Sequence, residues 1–139
     1  PESIKQLIQA VTDGTTVALL AADLPDHEFD AFGRVITDTN GQVERIVEMK
    51  DATDEERAVR LMNLGTYAVS NTWLWTALKR LQKSRVSGEY YLTDIIGLAI
   101  AEGKRVIAIQ TRDEREATGI NTPEHLAKAE QYLTQTVTA

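Results

Sequence analysis

Cysteine is absent from the sequence, which excludes a disulfide scaffold and any cysteine-ligated metal site. The 139 residues also contain no apolar run near the roughly 18 residues that a membrane-spanning helix needs. The opening residues, Pro1 to Ser3, are polar, so we expect no signal peptide. These absences make a cytoplasmic protein without a membrane partner the default expectation.

Closely spaced glycines are lacking as well. The eight glycines stand at positions 14, 33, 41, 65, 88, 97, 103 and 119, so no G-x-G and no G-K-[ST] motif occurs. The sequence therefore has no recognisable nucleotide-phosphate loop. The two histidines, His27 and His125, lack the spacing of paired metal ligands, and no G-x-S-x-G nucleophile motif is present.

Basic residues are in the minority, with 15 Lys and Arg against 21 Asp and Glu and a formal net charge of −6. Such an acidic chain has little with which to neutralise a phosphate backbone, so nucleic-acid binding is not expected. A single phosphorylated metabolite stays possible, because one local basic group or a metal ion suffices. The length suits a single domain over residues 1–139.

The first half of the chain gives clear local signals. Helical spacing of apolar residues predicts a helix over 2–12, and the apolar run 17–21 predicts a strand that is covered on both faces. Strand-like runs flank Asn40-Gly41, which predicts a hairpin with a type I′ turn. Thr53 to Glu56 matches a capping box, so a helix is expected over 54–60.

The second half alternates in the same way. A strand broken at Gly65 is expected within 61–69, followed by helices over 73–81 and 92–102, the second ending at Gly103. A short buried strand over 106–109 precedes a last helix that starts at Pro123 and runs to about residue 133. This order predicts a layered α/β domain with a mixed sheet.

Four separated segments carry a family resemblance. They are IVEMKDAT at 46–53, NLGT at 63–66, GEYYLTD at 88–94 and GIN at 119–121. In this order and spacing they resemble the uridyltransferase domain of the bifunctional N-acetylglucosamine-1-phosphate uridyltransferase / glucosamine-1-phosphate acetyltransferase family. The resemblance implies a Rossmann-like nucleotidyltransferase fold, a layered α/β/α with a mixed sheet, of which this chain is the C-terminal portion without the N-terminal nucleotide-binding half.

The resemblance also implies a reaction. In that family UTP and N-acetylglucosamine 1-phosphate form UDP-N-acetylglucosamine, a peptidoglycan precursor for cell wall biogenesis, with Mg²⁺ as cofactor. The family's glycine-rich nucleotide loop and the aspartate that shares the Mg²⁺ belong upstream of Pro1, and its acetyltransferase domain belongs after Ala139. We therefore expect a fragment that is inactive alone and that can self-associate through exposed sheet edges.

Carried over by motif, six residues form the expected site: Gly33, Glu48, Asn63, Tyr91, Thr93 and Asn121. The resemblance implies that the Gly33 N–H and the Glu48 carboxylate bind the sugar and that Asn63 faces its N-acetyl group. By the same resemblance, Tyr91 and Thr93 would line that pocket. Asn121 would contribute its side-chain oxygen to Mg²⁺, as a hard ligand suited to that ion.

Five of these six residues also have a purely structural interpretation. Gly33 can serve a turn, and Asn63 can bond locally beside Gly65. Tyr91 can be a core residue with a satisfied hydroxyl, and Thr93 can cap a helix. Asn121, before Thr122-Pro123, can be turn chemistry alone.

Two departures from the family pattern lie in or beside the expected site. The family reads Thr-Gly-Tyr-Gly-Arg where this chain has Asp-Ala-Phe-Gly-Arg at 30–34, and its Asn-Thr-Gly is Asn-Leu-Gly at 63–65. The main alternative to a catalytic portion is a non-catalytic module that binds a sugar nucleotide. Another is an assembly piece that completes a partner chain.

Overall fold

The structure is a computed structural model that describes residues 2–23, 32–120 and 122–137. Its five strands are β1 (Val17–Ala22), β2 (Arg34–Thr37), β3 (Val43–Val47), β4 (Met62–Val69) and β5 (Val106–Thr111). Its six described helices are α1 (Glu2–Thr12), α2 (Asp54–Arg57), α3 (Asn71–Leu78), α4 (Asp94–Ala101), α5 (Glu114–Ala117) and α6 (Pro123–Val137). The predicted α/β class is confirmed.

The strands form one sheet in the order β3-β2-β4-β1-β5. The β1–β5 pair is parallel, whereas β1–β4, β2–β4 and β2–β3 are antiparallel. The sheet is therefore mixed, as the sequence predicts. All six residues of β1 are buried, because a strand paired on both edges and covered on both faces keeps no contact with water.

Helices cover both faces of the sheet. Val17, Leu19 and Ala21 point to one face, where they pack with Ala77 of α3 and with α4. Ala18 and Leu20 alternate to the other face and meet Leu7 of α1, whose side chain is 1% exposed. Burial of one leucine of this kind stabilises the fold by roughly 2 to 3 kcal/mol. The result is the expected α/β/α layering.

The hairpin between β2 and β3 forms, but the predicted type I′ turn is wrong. Such a turn needs positive φ at both central residues, and the only one here is Gly41 at 78°. Instead the Asp38 carboxylate accepts the backbone N–H groups of Asn40 and Gln42, both at 2.8 Å, and Gly41 N donates to Asp38 O. The Asp38 side chain thus makes a longer loop possible without a left-handed Asn40.

Several element ends differ from the sequence expectation. The capping box of Thr53 and Glu56 is present, yet α2 ends at Arg57 because the chain turns at Ala58 towards β4. Helices α3 and α4 are shorter than expected, and α6 extends to Val137. Gly103, at φ 66°, follows the end of α4 as predicted.

β4 is one strand with a bulge rather than a strand broken at Gly65. Asn63 lies opposite Ala21 and Tyr67 lies opposite Leu19, so residues 64–66 lie against Leu20 alone. Gly65 supplies the positive φ of 72° at this irregularity. The helices of the described ranges include none long and apolar enough to cross a bilayer.

Candidate functional site

Glu48 and Gly33 meet where β2 begins and β3 ends. Arg34 pairs with Val47, so the residue before β2 lies beside the residue after β3. A Cβ atom on Gly33 would come 3.2 Å from Glu48 Oε2 and 3.1 Å from the Val47 carbonyl oxygen. Gly33 does not adopt positive φ. Close approach, rather than a left-handed turn, is therefore the reason for a glycine here.

Thr93 joins Glu48 from a third part of the chain. Its hydroxyl donates to Glu48 Oε1 at 2.9 Å across 45 residues of sequence, and the residue is 7% exposed. Thr93 stands at the start of α4 but makes no side-chain capping bond there. Its hydroxyl thus orients the Glu48 carboxylate instead of capping the helix.

Asn63 lies on the other side of Gly33. Its backbone N–H donates to the Gly33 carbonyl at 2.8 Å. Its side-chain Oδ1 accepts the Gly65 N–H at 3.1 Å and the Tyr67 hydroxyl at 2.8 Å. The Asn63 amide oxygen thus makes the local hydrogen bond that is the structural interpretation of this residue. Asn63 is also adjacent to the contact between Gly33 and Glu48.

Tyr67 is a site neighbour to which the sequence analysis gave no role. Burial raises the pKa of its phenol to about 12, the bond to Asn63 acts in the opposite direction, and the charge of Glu48 adds to the increase. The phenol is therefore a permanent donor near Glu48. An Asn-x-Gly-x-Tyr spacing is the signal that could have indicated this contact.

The Tyr91 hydroxyl takes part in a loop anchor rather than in the Glu48 cluster. It donates to Ser87 Oγ at 2.7 Å and approaches Asp51 Oδ1 at 3.4 Å. Ser84 Oγ donates to the other Asp51 oxygen and accepts the N–H groups of Val86 and Ser87. These contacts connect the loop 84–91 to the turn after β3. They therefore help to fix the position of Thr93, which follows this loop at the start of α4.

Charged side chains occupy the chain segments next to Glu48 and Thr93. The pKa of Asp94 is raised by burial and by the neighbouring charge of Asp51. Lys50 pairs with Glu89 at 3.0 Å, and that contact raises the pKa of the lysine. An ionised carboxylate only accepts hydrogen bonds, which suits the hydroxyl groups of a sugar.

The predicted metal ligand, Asn121, lies outside the described residues, as do His27, Asp30 and Ala31. Mg²⁺ needs several oxygen ligands in near-octahedral geometry. Within 2–23, 32–120 and 122–137, no cluster of three or more His, Asp or Glu side chains is placed to hold a metal ion.

Similarity to known proteins extends over nearly the whole chain, although no protein-family model matches it. A bifunctional protein GlmU from Streptococcus thermophilus (strain CNRZ 1066) is 39% identical over 132 residues, which are 95% of this chain and 28% of the relative. Another protein of that name, from Limosilactobacillus fermentum, is 44% identical over 117 residues, or 84% of this chain and 25% of the relative.

A third, from Zymomonas mobilis, is 39% identical over 132 residues, which cover 94% of this chain and 29% of the relative. The chain thus spans between a quarter and a third of the length of these relatives. Over nearly all of its own length, the chain is similar to one segment of proteins named bifunctional protein GlmU.

Proposed function

We propose that this chain is the sugar-binding part of a sugar-1-phosphate nucleotidyltransferase that forms UDP-N-acetylglucosamine from UTP and N-acetylglucosamine 1-phosphate in the cytoplasm. The observation that carries the proposal is the contact of Gly33, Glu48 and Thr93. These residues come from three separate segments and lie together around one partly buried carboxylate. The motif resemblance and the similarity to bifunctional GlmU proteins point in the same direction.

Glu48 is the principal sugar ligand in this proposal. Thr93 uses one lone pair of Oε1 at 2.9 Å, which fixes the carboxylate and leaves other lone pairs free for sugar hydroxyls. Hydrogen bonds to an ionised carboxylate are roughly twice as strong as those between neutral groups. Gly33 supports this role because a side chain there would crowd Oε2.

Asn63 and Tyr91 complete the pocket. Because both bonds to the Asn63 oxygen are local, its amide nitrogen is the group that remains for the N-acetyl carbonyl of the sugar. Tyr91 contributes its ring, since its hydroxyl is held by the loop.

The proposal takes Mg²⁺ as the cofactor and Asn121 as its ligand in this chain. The ion supplies charge neutralisation at the phosphates when it is bound. The sequence has no glycine-rich phosphate loop, so we expect the chain alone to bind the sugar nucleotide without turnover.

Calorimetric titration with UDP-N-acetylglucosamine, with and without Mg²⁺, tests the proposal. We expect weak binding that exceeds the binding of UDP-glucose. Replacement of Glu48 by Gln should lower the affinity about tenfold, because a charged acceptor becomes a neutral amide. Glu44→Gln, at an exposed position of β3, is the matched control and should leave the affinity unchanged.

Circular dichroism must first verify that the chain and its variants are folded. Absence of binding by a folded chain at millimolar ligand would contradict the proposal for this chain. Equal affinities in the Glu48→Gln and Glu44→Gln variants would remove Glu48 from the site.

A further inference from the structure

The bulge of β4 brings together two side chains that a regular strand would keep apart. Four residues of a regular strand span about 13 Å, whereas the Tyr67 hydroxyl lies 2.8 Å from Asn63 Oδ1. The partners of Asn63 and Tyr67 on β1 are Ala21 and Leu19, which share one face of the sheet. The two side chains therefore meet on that face, next to Gly33 and Glu48.

A second bond, from the Gly65 backbone, shows which way the Asn63 amide points, and the Tyr67 hydroxyl holds the same oxygen. The Gly65 N–H can only donate, so the atom that receives it at 3.1 Å must be the amide oxygen, and the amide nitrogen lies on the opposite side. Among the described residues, none accepts a hydrogen bond from that nitrogen.

The amide nitrogen nevertheless keeps contact with water. In the described ranges, no fully buried side-chain nitrogen or oxygen lacks a partner. Asn63 as a residue is only 6% exposed. The small exposed part therefore includes the NH₂ group, which is oriented and available to an acceptor.

We propose that Tyr67 is a positioning residue of the sugar site, whose hydroxyl holds the Asn63 amide so that its NH₂ group donates to an acceptor oxygen of the bound sugar derivative. This inference rests on the proposed function. Tyr67 itself does not touch the ligand. The phenol is well suited to the task, because it stays protonated at physiological pH and so never ceases to donate to Asn63 Oδ1.

The test is Tyr67→Phe, which removes the hydroxyl and keeps the ring in the core. The matched control is Tyr90→Phe, the same chemical change at a tyrosine that is 61% exposed. Two quantities are measured on each folded chain. One is the ¹⁵N relaxation of the Asn63 side-chain NH₂ group without ligand, and the other is the affinity for UDP-N-acetylglucosamine.

We expect the Asn63 NH₂ group to lose order in Tyr67→Phe and the affinity to fall roughly fivefold, the loss that one hydrogen bond typically brings. Both quantities should be unchanged in Tyr90→Phe. An NH₂ group that stays equally ordered in Tyr67→Phe would overturn the inference, as would a disordered NH₂ group with unchanged affinity.

Failure of the proposed function gives a different result. In that case the unaltered chain would not bind UDP-N-acetylglucosamine, whereas the relaxation measurement without ligand would still report whether Tyr67 orders Asn63. The positioning role in sugar binding would then be overturned together with the proposed function, and the Tyr67–Asn63 contact would be purely structural.

Discussion

At the scale of single residues, the site depends on short distances around one carboxylate. The Glu48 carboxylate accepts a hydrogen bond from the Thr93 hydroxyl and lies close to Gly33. Its charge also helps to raise the pKa of Tyr67. None of these partners is its neighbour in sequence. A substitution at any of these partners is therefore expected to change the surroundings of the Glu48 carboxylate. Substitutions of Gly33 and of Tyr67 can be tested separately.

Replacing Gly33 by Ala should destabilise the protein. The new Cβ atom would lie 3.1 Å from the Val47 carbonyl oxygen, which belongs to the sheet and cannot move freely. We expect a loss of about 1 to 2 kcal/mol in the free energy of unfolding, the usual effect of overpacking, measured by urea denaturation.

Gly97→Ala in α4 is the control, because a Cβ atom there would meet nothing within 4 Å. Alanine favours a helix interior over glycine by up to about 1 kcal/mol, so this variant should be more stable than the unaltered chain. A Gly33→Ala variant as stable as Gly97→Ala would contradict the close contact with β3.

Tyr67 should make the stability depend on alkaline pH. Its pKa is about 12 in the folded protein against an ordinary value of 10.0, so folding favours the protonated phenol. The contribution is complete below pH 10 and is lost as the pH rises through 12. Two pH units correspond to about 2 to 3 kcal/mol.

The measurement is the free energy of unfolding between pH 9 and 12, compared between the unaltered chain and Tyr67→Phe. The comparison cancels the other groups that titrate in this range. The free energy of unfolding should fall less with rising pH in Tyr67→Phe than in the unaltered chain. Parallel curves would mean that the phenol is not held protonated by the fold.

At the scale of elements, the loop 84–91 depends on Asp51. The Asp51 carboxylate accepts a hydrogen bond from the Ser84 hydroxyl. The same hydroxyl oxygen accepts hydrogen bonds from the backbone N–H groups of Val86 and Ser87. Asp51→Ala should remove this anchor of the loop. The rate of amide hydrogen exchange at Val86 and Ser87 should then rise at least about tenfold, which corresponds to a loss of about 1.4 kcal/mol in the free energy of local opening.

Glu89→Gln serves as the comparison for this loop. It removes the exposed ion pair with Lys50, which contributes about 0 to 1 kcal/mol. Exchange at Val86 and Ser87 should therefore change little. Equal exchange in both variants would show that Asp51 is not the anchor.

At the scale of the whole molecule, the sheet leaves part of a strand edge unpaired. β4 pairs with β1 along its length, but β2 reaches it only at Met62. Apart from β1, no described strand pairs with residues 64–69. The bulge bends the first part of this segment, but no charged side chain in it discourages edge pairing. Self-association of the chain through this edge is the expected consequence.

Size-exclusion chromatography with light scattering measures the association. The mass should rise above 15.4 kDa with concentration, and Thr66→Lys on the edge should return it to that of the monomer. Thr39→Lys, in the exposed hairpin loop, should have no effect. A compact monomer at every concentration would refute self-association.

The local signals of the sequence were sufficient for most elements. The apolar spacing of α1, the continuous apolar run of β1 and the glycine after α4 each depend on residues within a few positions of one another. The type I′ turn was predicted wrongly because the Asp38 side chain, two residues before Asn40, provides competing hydrogen bonds. The α2 boundary was missed because the chain turns into β4.

By itself, the sequence determined the α/β class, the mixed sheet and the segments that contain Gly33, Glu48, Asn63 and Thr93. Only the tertiary structure decided how their side chains are used. The hydroxyl of Thr93 could cap its own helix or reach Glu48, and sheet register together with the packing of α4 selected the second. The bulge of β4 likewise joined Tyr67 to Asn63. Local propensity acts over a few residues, whereas these contacts require several elements to be packed at once.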